Sequence, residues 1–171
     1  MSLMNLTDDL DRIALQESEL VLPRFDTDIA WELGRTIRGL AVKRGLGVVI
    51  DIRRFGQPLF YAALEGTTPD NVEWVRRKNN VVARFHRSSY AVGLKAQLKN
   101  ETIYEAQGLS LADYCTHGGG FPLAVENVGI IGSITVSGMP QRSDHELVVE
   151  ALCILLGRDF AALRLAAEVL S

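Results

Sequence analysis

Little in this chain announces chemistry outright. It has two cysteines, Cys115 and Cys153, with no metal-ligand spacing around either. A disulfide scaffold is therefore excluded, and the pair reads as two reduced thiols of a cytoplasmic protein. Of the histidines, His86, His117 and His145, none has a partner four residues on, so no closed zinc site is expected. No apolar run approaches the ~20 residues that span a bilayer. No charged-then-apolar segment at the N-terminus marks a secretion signal either. A net charge of −3 lacks the basic excess that nucleic-acid binding needs. The nucleophile elbow G-x-S-x-G and the P-loop are both missing.

What is present is a patterned apolar chain, 47% hydrophobic over 171 residues, enough for one core. Met1-Ser2-Leu3 ahead of Met4 reads as a cloning remnant (residues 1–3), leaving residues 4–171 as a single domain. Leu6, Leu10 and Ile13 share a helical face, and Glu19–Pro23 reads as a short strand. Asp26 or Thr27 caps a helix carrying Ile29, Leu33, Ile37 and Leu40, which Lys43, Arg44 and Gly45 end. Val48–Arg54 and Pro58–Glu65 form a hairpin, with Pro58 confined to a strand start or a sheet edge. Thr68-Pro69-Asp70 opens a helix to about Arg87, and Ser88–Lys99 forms another. Leu109–Tyr114 gives a helical turn. Phe121–Val125 and Val128–Ser137 make a second hairpin around Glu126-Asn127. Ser143 with Glu146 is a capping box, opening a helix that Gly157 breaks. Asp159 then caps a last helix with Phe160, Leu163 and Leu170. Hairpins without βαβ units mean an antiparallel sheet with helices packed on it, an α+β domain.

Two stretches suggest a site. In CTHGGGFPLAV, residues 115–125, Gly118, Gly119 and Gly120 can take positive φ and bring backbone N–H groups close to a ligand. A tight turn, an anion cradle, an oxyanion hole and a haem-side lid all use such a loop. The dinucleotide pattern fails, because Leu123 stands where the third glycine belongs. At least one of the three glycines is expected at positive φ, in a loop bordering a cleft. In WVRRKNNVVARFHR, residues 74–87, Arg76, Arg77, Lys78, Arg84 and Arg87 make either a solvated face or an anion site. Asn79 and Asn80 are poor formers in mid-helix, so packing or function must hold them there. His117, beside the glycines, is the histidine best placed for a ligand.

The segments DNVEWVRRKNNVVARFHRSS, HGGGFPLAV and VGIIGSITVSGMPQRSDHELV resemble the haem-degrading domain family, the GlcG/HbpS-like proteins. More narrowly they are similar to its uncharacterised-protein-family (UPF) branch, from about Asn5 to about Gly157. The resemblance implies a profilin-like fold, a five-stranded antiparallel sheet flanked by helices, assembled as a homodimer or larger oligomer. The family's VSG stretch matches Val136-Ser137-Gly138, and its acidic helix start matches Asp144. Three functions stay open: a small-ligand-binding oligomer without catalysis, a haem-binding or haem-degrading protein, and an enzyme acting on a small acid through Arg77, His117 and Asp144. The expected ligand-binding set is Trp74, Arg77, Lys78, His117, Gly118, Gly119, Gly120, Asp144 and His145, with haem the candidate cofactor. The expected partners are a second copy of the chain and a small anionic ligand or haem. The terminal helix carrying Phe160, Leu163 and Leu170 either packs back or covers a neighbouring copy, where an exposed apolar patch would mark the interface.

Overall fold

The computed structural model describes residues 3–167. The elements run α1 (Leu3–Glu19), α2 (Thr27–Lys43), β1 (Val49–Arg54), β2 (Gln57–Ala63), α3 (Pro69–Phe85), α4 (Ser89–Leu98), α5 (Ile103–Gln107), β3 (Gly120–Val125), β4 (Gly129–Ser137), α6 (Gln141–Leu156) and α7 (Phe160–Leu163). Both expected hairpins form. The sheet has the order β2-β1-β4-β3 with every pair antiparallel. Pro58 lies on β2, the edge strand, where its missing N–H removes no central ladder bond.

Among the described residues the sheet has four strands, not the five that the family resemblance implied. The Glu19–Pro23 stretch comes closest to a further strand. Leu22 makes one parallel bridge to Val125, bonding through Ala124 O and Glu126 N. Pro23 has no N–H with which to continue that ladder, and the chain turns into the Asp26 cap of α2, where Asp26 accepts from Ile29 N at 2.9 Å.

The two faces of the sheet differ in chemistry. Ile134 and Val136 of β4 point into an apolar core shared with Leu33 and Ile37 of α2 and Val148 and Leu152 of α6. The alternate residues Ser133, Thr135 and Ser137 point at α3. There Asn79 Oδ1 accepts from Ser133 Oγ at 3.0 Å and from Thr135 Oγ1 at 2.5 Å. Asn80 Nδ2 donates to Asp113 O at 2.8 Å. Both mid-helix asparagines are thus held by tertiary hydrogen bonds. α3 rides on a polar layer.

Three further expectations change. α3 ends at Phe85, because His86 turns left-handed at φ 51. α6 begins at Gln141 behind Pro140, and Ser143 makes no capping box: Ser143 N and Asp144 N already bond to Pro140 O. The proline at the cap presets the first turn three residues earlier than the serine would. α7 is four residues long, and Leu163 and Leu165 are buried within the chain itself. This segment packs back rather than presenting an apolar face; Leu170 lies outside the described residues.

Candidate functional site

α3 and α6 approach each other over the Ser137 end of β4, and the Gly118–Gly120 loop closes the gap behind them. Lys78 anchors the junction. It is 2% exposed. Its ammonium donates to Asp144 Oδ2 at 2.9 Å, Val136 O at 3.1 Å and Ser137 Oγ at 3.2 Å, using all three protons. Asp144 also accepts from Met139 N at 3.0 Å and Gly138 N at 3.4 Å. Burial pushes its carboxyl above the usual carboxylate range, against the pull of Lys78 and of those two amides. The pair therefore pins the β4–α6 turn, and neither partner is left over as an anion receptor or a free general base.

The glycine loop is structural. Gly119 has φ 123, and a Cβ on it would stand 2.2 Å from Val136 O. A Cβ on Gly118 would stand 2.2 Å from Gln141 O. Gly118 N donates to Gln141 Oε1 at 3.3 Å, and Gly120 N donates to Ser89 Oγ at 3.0 Å. Ser89 Oγ in turn donates to His117 O at 2.6 Å. Those two glycine amides are engaged within the chain, and the amides of Ser143 and Asp144 bond to Pro140 O.

In front of this scaffold lies an open cleft of about 220 Å³, lined by Trp74, Lys78, His117 and Asp144 together with Asn71, Ser137, Gly138, Met139 and Gln141. The His117 ring stacks on Trp74, with centroids 5.2 Å apart and planes 29° from parallel. Trp74 Nε1 donates to Asp70 Oδ2 at 2.9 Å, which fixes the indole. Desolvation, then the nearby Lys78 and Arg77 charges, lower the His117 pKa, so the imidazole is neutral at neutral pH. Its ring makes no hydrogen bond among the described residues. Arg77 stands with Cζ 5.0 Å from the Trp74 ring centroid, and its buried Nε has no partner there. It borders the cleft through Trp74 and His117 rather than lining it.

His145 is elsewhere. One residue past Asp144 turns it about 100° around the helix. It is fully buried between Tyr90 and Phe121, with Nε2 2.8 Å from Gln16 Oε1. Burial, aided by Arg142, holds its pKa down at about 3. It ties α6 to α1. Sequence reasoning missed Asn71, Ser137, Gly138, Met139 and Gln141 as lining residues. The strand-to-helix stretch Ser137–Gln141 was the available signal, since such a turn borders whatever lies at the end of the sheet.

Residues 25–153 match the family described as "Haem degrading protein HbpS-like". A UPF0303 protein of Paraburkholderia phymatum is 59% identical over 163 residues, which cover 95% of this chain and 99% of that one. The crystal structure of the Ybr137w protein is similar at a TM-score of 0.81 with 28% identity, over 86% of this chain and 87% of that chain. PduOC, crystallised as a haem complex, shares the fold at a TM-score of 0.66 with 17% identity, over 75% and 93% of the two chains. With the family pattern spanning both hairpins, α3 and most of α6, the chain belongs to the HbpS-like haem-degrading family, and its near relatives are UPF0303 proteins.

Proposed function

We propose that the chain is a small-ligand-binding protein, that its ligand is a planar acid, and that the ligand docks at the Trp74–His117 cleft. The observation that carries this reading is His117: a neutral imidazole with no ring hydrogen bond among the described residues, stacked on Trp74 at the cleft mouth. Stacked aromatic rings offer a flat ligand broad contact. The imidazole adds one directional hydrogen bond, and the Arg77 guanidinium offers the planar fork that matches a carboxylate. Lys78 and Asp144 line the cleft floor, and their charges are spent on each other and on the turn. An enzyme using Asp144 as base fits less well, because that carboxylate is already engaged by Lys78 and two backbone amides.

Haem is the planar acid favoured by the family description and by the haem complex of PduOC. The residues fit it. His117, whose ring makes no hydrogen bond among the described residues, would be the residue to hold the iron, and the Arg77 guanidinium beside Trp74 would offset the charge of a propionate. When bound, haem supplies an iron centre; this chain's own part is to orient the ring and neutralise its acids. A cleft of about 220 Å³ covers an edge of such a ring rather than the whole, which suits a homo-oligomer in which a second copy completes the enclosure. We assign the protein to the cytoplasm, where the buried free thiols of Cys115 and Cys153 stay reduced.

Benzoate titrated into ¹⁵N-labelled protein tests the acid reading. The Trp74 indole and the Gly118–Gly120 amides should shift together. Arg77→Ala should weaken binding by about 1.5–3 kcal/mol, the size of one charged hydrogen bond. Unchanged affinity in that variant overturns the acid. Shifts confined to another surface overturn the cleft.

A further inference from the structure

Two clefts flank α5, each of about 320 Å³, and Ala96, Glu101, Thr102 and Ile103 line both. α5 is therefore a strap across α4 rather than a filled layer. It is held by Ile103, which is 6% exposed, and by Tyr104, whose hydroxyl donates to Tyr114 O at 3.1 Å. The chain enters and leaves this strap through two exposed left-handed residues, Asn100 at φ 52 and Gly108 at φ 64.

The helical period gives the first cleft two chemically distinct sides. Ala91, Lys95 and Lys99 recur every fourth residue along α4 and its cap, with Val92 and Ala96 one position on. Both lysines are exposed and rim an apolar floor that Leu10, Phe85 and Ile103 complete. Arg87 shares the rim but is tied to Glu17. Neither Lys95 nor Lys99 has an ion-pair partner among the described residues, and Glu101 is the single acid in the lining.

We infer that α4 and α5 form a second binding site, for an alkyl carboxylate whose chain lies on the Val92–Ile103 floor and whose head meets Lys95 and Lys99. The surplus of positive charge at the rim selects an acid over a neutral amphiphile. The strap selects a thin ligand over a peptide helix. A helix about 10 Å across has no room along α4 beside α5, whereas an alkyl chain is thin enough to lie on the floor beside Ile103.

Octanoate titrated into ¹⁵N-labelled protein should shift the amides of residues 91–106 saturably and leave Gly118–Gly120 in place. Reversing both exposed charges, Lys95→Glu with Lys99→Glu, should weaken octanoate binding about fivefold, as two surface charge contacts would. Ala106→Trp, at an exposed position, should fill the groove and abolish binding. 1-Octanol should bind the wild type and the charge-reversed protein alike, which separates a lost head contact from a lost fold. The site is overturned if no saturable shift occurs in residues 91–106, if the shifts centre on the glycine loop, or if octanoate affinity survives either variant.

Discussion

Lys78 shows how a side chain's role depends on where its helix is turned. As sequence, it belongs to a cationic run and counts towards an anion site. In the fold the same residue faces the sheet, and its charge goes to Asp144. Removing one partner of a buried pair leaves the other uncompensated, so Lys78→Met should cost about 3–5 kcal/mol in urea unfolding. Adding Asp144→Asn removes the charge while keeping one oxygen to accept from Met139 N, and should recover part of that loss. A double variant as unstable as the single one would contradict the pairing. His145 makes a second residue-scale prediction. Folded His145 refuses a proton that the unfolded chain accepts below about 6.5, so its contribution to stability falls as pH drops from there towards about 3. The slope is up to about 1.4 kcal/mol per pH unit. Asp144 and Glu146, whose carboxyls burial raises, act in the opposite sense. The difference between wild type and His145→Gln isolates the histidine, and the variant should lose less stability in acid. Parallel pH curves would exclude this role.

At the scale of elements, much of the architecture was legible. The two hairpins, the Asp26 cap, the Thr68-Pro69 helix start and the Gly157 stop are local signals, and each stands where its residues put it. What local signals could not show was partnership. Trp74 and His117 are far apart in sequence, and only the docking of α3 beside the glycine loop stacks them. α5 went unseen because five residues carry too little periodicity to mark a helix. The glycine loop was recognised as a special backbone, and Gly119 does sit at φ 123. That loop makes a close approach to Val136 and Gln141. Gly119→Ala should therefore destabilise by about 3 kcal/mol or more, combining backbone strain with a clash against a central strand. A loss below about 1 kcal/mol would mean that the loop relaxes freely.

At the scale of the whole molecule, the sheet separates two environments. One face carries the apolar core under α2 and α6, and the other carries a polar layer under α3 that opens at one end into the Trp74–His117 cleft. Cohesion comes from the first face, and the proposed ligand site lies on the second. No helix among the described residues is long and apolar enough to cross a membrane. The resemblance seen in three sequence motifs was enough to name the family, but it could not show which members of its basic helix face inward. The central claim is that His117 is the cleft's ligand contact. Titrating haemin into wild-type protein and His117→Ala, with the Soret band as readout, tests it most directly. The account predicts a saturable, red-shifted band in the wild type and its loss in the variant; superimposable titrations, or no saturable band in either protein, would contradict it.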